Sequence, residues 1–124
     1  MTEEIQQLAN STKTQLNLKY NVESIKFLEG FIERNKIHID KNEWSGLINS
    51  CSAFLGQCII ENYGGKWIKD NGEYCVEFDE NNKAFPYSKV TKQFENGIED
   101  SIFSFYSAIP KVFNLKKNTK WWRF

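Results

Sequence analysis

Apolar residues recur at three- and four-residue spacing through the middle of the chain, a pattern typical of a buried helix. The longest such pattern runs over 41–63, and these residues form its stripe: Trp44, Leu47, Ile48, Cys51, Leu55, Cys58 and Ile59. Asp40 with Glu43 three positions later resembles a capping box. Gly64 and Gly65 then predict the end of the helix, because glycine adopts the left-handed conformation at little cost. We therefore expect one long central helix.

Two further helices are predicted before the central one. Residues 3–17 carry a thin apolar stripe, which indicates a peripheral helix within residues 1–20. Asn21 is a favoured N-cap for a second helix over 22–35. The buried stripe of that second helix is expected to be Ile25, Leu28 and Ile32.

A β-hairpin is predicted directly after the central helix. An Asn-Gly pair at 71–72 is the preferred sequence for a two-residue type I′ turn, here between strands 66–70 and 73–78. This register places Trp67 opposite Val76. The face that carries both residues is expected to meet the central helix, where the glycine at position 56 would let a neighbouring element approach.

A short third strand is predicted over 84–87, with Pro86 at its end because proline cannot donate to a strand ladder. Ser88 is expected to cap the helix that follows, and an Asn-Gly pair at 96–97 to end it.

The last predicted helix runs over 98–109, buries Ile98 and stops at Pro110. The elements together predict the α+β class, with four or five helices packed on a small antiparallel sheet of two or three strands. A length of 124 residues suits a single globular domain over 1–124.

Charge is unevenly distributed along a chain whose formal net charge is zero. Residues 111–124 form a tail with five basic and no acidic side chains, and the tail includes Trp121 and Trp122. The rest of the chain is therefore mildly acidic, unlike a dedicated nucleic-acid binder. We expect the tail to dock on this acidic body, and single-stranded nucleic acid is the alternative partner for the tail.

The three cysteines are Cys51, Cys58 and Cys75, and no pair of them has the CxxC spacing. An odd cysteine count, together with an acidic N-terminal segment that resembles no secretory signal, predicts reduced thiols in the cytoplasm. No apolar run is long enough to cross a membrane, so no membrane partner is expected. The many Lys and Asn residues suggest a bacterial source.

Two short runs resemble a known family. Phe54-Leu55-Gly56-Gln57 followed by Tyr63-Gly64-Gly65-Lys66-Trp67 resembles small bacterial domains of the DUF3806-like kind. Those domains also pair a helical Leu-Gly-Glu/Gln step with a Gly-x-x-Trp entry into a hairpin. The resemblance covers roughly residues 22–110, and it implies a fold but no activity, cofactor or catalytic residue.

Few residues are suited to catalysis. His38 is the only histidine, and zinc-finger, HExxH and phosphate-loop motifs are absent, so we expect no metal and no cofactor. Cys75 with His38 is a conceivable nucleophile pair, although nothing in the sequence places them together. The acidic pairs are interpreted as solvated carboxylates at turns and helix starts; they are Glu73/Glu77, Asp79/Glu80 and Glu99/Asp100.

The function that these observations favour is a non-catalytic protein-binding domain of an immunity-type or regulatory kind. Its candidate binding residues are Trp67, Trp121 and Trp122. The alternative is a small hydrolase with a site near the hairpin at 66–78, which would use Cys75 or the nearby carboxylates. The sequence leaves the partner and the oligomeric state open.

Overall fold

The computed structural model describes residues 2–115, and within that range five α-helices accompany one three-stranded sheet. The helices are α1 Glu3–Gln15, α2 Val22–Lys36, α3 Ser45–Tyr63, α4 Pro86–Asn96 and α5 Ile102–Val112. The strands are β1 Lys66–Asp70, β2 Glu73–Asp79 and β3 Asn82–Ala84. The predicted α+β class is therefore confirmed.

The central helix α3 begins later than its apolar pattern predicts. A short 3₁₀ turn occupies Lys41–Glu43, and Asp40 makes no side-chain cap, so the predicted start at residue 41 is wrong. The indole of Trp44 explains the tight turn, because its Nε1 donates to the carbonyl of Ile39 at 3.2 Å and its ring packs on Phe94. The predicted end is confirmed, because Gly64 closes the helix with a positive φ of 91°.

Two helices precede α3 in the chain. The side chain of Asn21 accepts a hydrogen bond from the backbone N–H of Ser24 at 2.8 Å, which confirms the predicted cap of α2. The predicted buried stripe of α2 is confirmed as well, since Ile25, Leu28 and Ile32 are fully buried. Helix α1 packs along α3 and buries Ala9 and Thr12.

The sheet is antiparallel in the order β1-β2-β3. Its first turn has Asn71 at φ 54° and Gly72 at φ 81°, as a type I′ turn requires. The predicted register is confirmed, with Trp67 opposite Val76. Trp67 reaches α3 at Gly56, where the absence of a side chain leaves room for the indole.

The segment after the hairpin differs from its prediction. The third strand lies at 82–84, not at 84–87, because Pro86 occupies the first turn of α4. Proline is favoured there, since its missing N–H has no helical partner in any case. Ser88 therefore lies inside the helix and does not cap it. The predicted end of α4 is confirmed, with Gly97 at φ 77° as the cap.

The last helix is also shifted. Gly97–Asp100 forms a 3₁₀ turn, and α5 begins after Ser101, whose hydroxyl accepts a hydrogen bond from the N–H of Ser104. Ile98 is 66% exposed, so its predicted burial is wrong. Pro110 lies inside the last turn of α5 and does not stop the helix at 109, because the helix continues to Val112.

One core joins the helices to the sheet. Its largest fully buried side chains come from α3 itself and from α2, β2, α4 and α5; they include Phe54, Phe94, Ile25, Leu28, Ile59, Ile102 and Val76. None of the helices within residues 2–115 combines the length and the apolar character that a bilayer crossing needs.

Candidate binding groove

A groove of about 570 Å³ opens between α1, α3, the hairpin and the first turn of α4. This volume falls in the range of pockets that hold small ligands or individual side chains. We call it the hairpin groove. Its lining residues are Glu4, Ile5, Leu8, Asn49, Ser52, Trp67, Gly72, Glu73, Tyr74, Pro86 and Tyr87.

The position of Trp67 in the hairpin groove is fixed from two sides. A Cβ at position 56 would lie 2.1 Å from Cη2 of the indole, so only glycine permits this close approach. The Nε1 of the indole donates to Oε1 of Gln57 at 2.9 Å. The side chain is only 6% exposed, and it therefore forms a rigid apolar part of the wall.

Tyr74 connects the hairpin to α1 across the groove. Its hydroxyl donates to Oε1 of Glu4 at 2.5 Å, and its ring meets Trp67 edge to face with 6.2 Å between centroids. The hydrogen bond to the Glu4 carboxylate is the main reason that the pKa of Tyr74 rises to about 12. Lys69 lies over the same ring, 5.0 Å from its centroid.

Two carboxylates give the groove an acidic rim. Glu4 is exposed on α1, and Glu73 is half-buried at the start of β2, where its Oε2 accepts a hydrogen bond from the hydroxyl of Ser88 at 3.4 Å. Among the described residues that line the groove, none is a lysine, an arginine or a histidine. The lining groups that carry charge at neutral pH are therefore negative.

The hydroxyl of Ser52 is the unexplained polar group of the groove. Ser52 is 5% exposed, and its Oγ has no hydrogen-bond partner among residues 2–115. A buried hydroxyl without a partner costs about 1–3 kcal/mol. Thr91 has the other such hydroxyl, but it does not line the groove. Among the residues that the structure describes, the groove therefore contains one buried hydroxyl that its own walls leave unsatisfied.

The two candidate catalytic residues are not brought together. Cys75 is fully buried in β2 opposite Ile68, and burial raises the pKa of its thiol to about 11. His38 is exposed in the turn that follows α2. Within the described part of the chain, no hydrogen bond joins these two side chains, and neither of them lines the hairpin groove.

The other two thiols are core groups, as the helical pattern predicts. Burial raises the pKa of Cys51 to about 12 and that of Cys58 to about 11. Cys58 also lies 3.6 Å from the hydroxyl of Tyr106 in the buried face of α3. A thiol with such a high pKa is almost entirely protonated at neutral pH, and it is a poor nucleophile.

Two of the three acidic pairs contain a carboxylate that stabilises a turn or a helix end, whereas Glu73 and Glu77 lie in β2, so their predicted place at a turn or helix start is wrong. Asp79 accepts hydrogen bonds from the side chain of Asn82 and from the backbone N–H of Asn81, and these bonds lower its pKa. Asp100 accepts a hydrogen bond from the side chain of Asn96 at 2.7 Å. In residues 2–115 there is no group of three His, Cys, Asp or Glu side chains that could hold a metal ion.

Of the residues that line the groove, only Trp67 is a binding candidate on the sequence alone. Glu4, Ser52 and Tyr87 come from three elements that are distant in the chain, and no local pattern marks them as neighbours. Glu73 appeared only as one member of an acidic pair. Trp121 and Trp122, the other two binding candidates, lie outside the described residues.

The comparisons with known proteins add no relative: no family model, no curated protein and no solved structure matches this chain. The resemblance to DUF3806-like domains therefore stays a prediction, and the assignment of a function depends on the groove alone.

Proposed function

We propose that this chain is a non-catalytic protein-binding domain, of an immunity-type or regulatory kind, and that it acts in the cytoplasm of a bacterium. The hairpin groove is its binding site. The observation that carries the proposal is the unsatisfied hydroxyl of Ser52 in a groove with a rigid aromatic wall. Native proteins leave few buried polar atoms unpaired, and a ligand is one of the partners that such an atom can have.

The aromatic residues of the groove support protein recognition. Tyr87 lines the groove and is 40% exposed, and Trp67 forms a rigid part of the wall. Tyr and Trp are enriched at the centres of protein interfaces, because they bury a large area with few rotatable bonds. Three buried free cysteines also suit a reducing compartment such as the cytoplasm.

A hydrolase is less well supported by the same geometry. An activated serine or cysteine needs a base within hydrogen-bond distance. Ser52 has no such partner among residues 2–115, and the thiol of Cys75 is buried away from the groove. The groove does lie against the hairpin, where a hydrolytic site is the alternative prediction, but the polar groups of its described residues form no nucleophile–base pair.

Native mass spectrometry of the full chain, gently purified from its own host, tests the proposal. We expect an added mass that corresponds to a second polypeptide and that is lost from the variant Tyr87→Ala. Ile98→Ala is the matched control, because Ile98 is also an exposed apolar residue but does not line the groove. A bare chain, or a complex that both variants retain equally, would contradict binding through the groove.

A further inference from the structure

The charge and shape of the hairpin groove indicate what kind of segment it accepts. We propose, on the basis of the function proposed above, that the groove binds one basic side chain, a lysine or an arginine. An exposed segment of the partner protein carries this side chain next to an apolar side chain. The partner is thus recognised by a short basic and apolar motif, and the groove supplies the complementary acidic rim and apolar wall.

The acidic rim provides the electrostatic part of this recognition. The carboxylates of Glu4 and Glu73 lie on two sides of the groove, and no described lining residue is cationic. Lys69 is a neighbouring cation, but it lies over the ring of Tyr74 and is not part of the lining. Complementary charge across an interface favours the matching partner and disfavours like charge. The rim therefore attracts a lysine or arginine, and it repels the phosphates of a nucleic acid.

The wall provides the apolar part. Ile5, Leu8 and Pro86 line the groove together with the aromatic side chains of Trp67 and Tyr87. The methylene stem of a lysine or arginine packs well on such a surface while its charged head reaches the rim. The exposed ring of Tyr87 can also take a cation on its face.

The size of the groove limits how much of the partner enters it. A volume of about 570 Å³ holds one or two side chains of an extended segment, and it does not hold a helix or a folded surface. The unsatisfied hydroxyl of Ser52 can accept a hydrogen bond from an ammonium or guanidinium group that enters. Recognition by one basic and one apolar side chain follows from these three features together.

Random peptides displayed on phage, selected on the immobilised full chain, test the inference. We expect the enriched peptides to carry lysine or arginine beside an aromatic or aliphatic residue. The affinity of such a peptide, measured by fluorescence polarisation, should fall about fivefold in Glu4→Gln and in Glu73→Gln. Glutamine keeps the oxygen that accepts from Tyr74 or Ser88, so each variant removes a charge and preserves the hydrogen bond.

Glu80→Gln is the matched control, because Glu80 is an exposed carboxylate that does not line the groove. The inference would be overturned if acidic or uncharged peptides were enriched, or if no peptide were enriched. It would also be overturned if all three variants bound the peptide with equal affinity. Peptide binding that appears only after Trp121 and Trp122 are replaced by serine would also overturn the inference. The occupant of the groove would then be the chain's own basic segment and not a partner protein.

The two proposals fail in different ways. A host complex that is lost from Tyr87→Ala but retained by Glu4→Gln and Glu73→Gln would keep the groove as a protein-binding site and overturn the basic motif. Absence of any binder that depends on the groove would overturn both proposals.

Discussion

Replacement of Gly56 by alanine is the most informative single change, because Gly56 sets the position of Trp67 in both the core and the groove. The new Cβ would lie 2.1 Å from Cη2 and 2.6 Å from Cζ2 of the indole. Carbon atoms in contact are normally about 3.5–4.0 Å apart, so the indole must move by more than about 1 Å. A side chain that is only 6% exposed has little room for this displacement.

The expected change in the free energy of unfolding is the sum of two costs and one gain. Overpacking a filled core costs about 1–3 kcal/mol of the free energy of unfolding. Loss of the hydrogen bond from Trp67 to Gln57 costs about 1 kcal/mol more. The higher helix propensity of alanine returns up to about 1 kcal/mol. We therefore expect Gly56→Ala to lower the free energy of unfolding by about 1–3 kcal/mol.

Urea denaturation followed by tryptophan fluorescence and circular dichroism measures this change. Gly46→Ala is the matched control, because a Cβ at position 46 in the same helix meets nothing within 4 Å. That variant should be neutral or more stable by up to about 1 kcal/mol. Combining Gly56→Ala with Trp67→Phe should recover part of the loss. Equal stability of the Gly56 and Gly46 variants would refute the packing argument, and strictly additive effects in the double variant would do so too.

Three further predictions concern the hairpin, the thiols and the groove tyrosine. Gly72→Ala should lower the free energy of unfolding by about 1–2 kcal/mol, because φ is 81° at this position and alanine is strained there. Urea denaturation measures the change, and unchanged stability would contradict the type I′ assignment. The three cysteines should react with iodoacetamide at neutral pH far more slowly in the native protein than after unfolding, because burial raises the pKa of each thiol to about 11 or 12. Peptide mapping identifies the labelled residues, and one native thiol that is labelled rapidly would contradict this prediction. The pKa of Tyr74 should lie near 12, and the ultraviolet difference spectrum between the parent and Tyr74→Phe measures it as the pH rises. Glu4→Gln should lower that pKa toward its ordinary value of 10.0. Because the folded state binds this proton more tightly than the unfolded state, the associated stability is present below pH 10 and is lost as the pH rises through about 12.

The hairpin and the second helix could be predicted because their signals are local. The Asn-Gly pair at 71–72 determines both the turn and the register, and Asn21 caps α2 through a residue three positions away. Both features depend on neighbouring backbone groups, which the sequence places next to each other. Gly56 was also correctly interpreted, since a glycine inside an apolar helix indicates a close approach by another element.

The errors arose where contacts distant in the chain decide the structure. The start of α3 depends on Trp44, whose ring packs against Phe94 of α4. Ile98 fits an apolar helical stripe, but the 3₁₀ turn at 97–100 directs it to solvent. A proline such as Pro86 suits the end of a strand as well as it suits the first turn of a helix. Only the structure distinguishes these two positions.

The groove could not be predicted for the same reason. Its residues come from α1, α3, the hairpin and α4, so their proximity depends on how these elements pack. Single-sequence patterns report which side chains are buried, but they do not report where two half-buried surfaces leave a gap. The unsatisfied hydroxyl of Ser52 has no counterpart in the sequence pattern, because serine in the middle of a helix is ordinary.

Site-specific photo-cross-linking in the native host tests the central claim most directly. Tyr87 in the groove and, separately, the exposed Ile98 outside it would each be exchanged for p-benzoylphenylalanine in the full chain. We predict that position 87 becomes linked to a second polypeptide, at a segment with a lysine or arginine beside an apolar residue, and that position 98 does not. No cross-link at position 87, or the same cross-link from both positions, would contradict the account of the hairpin groove as a protein-binding site.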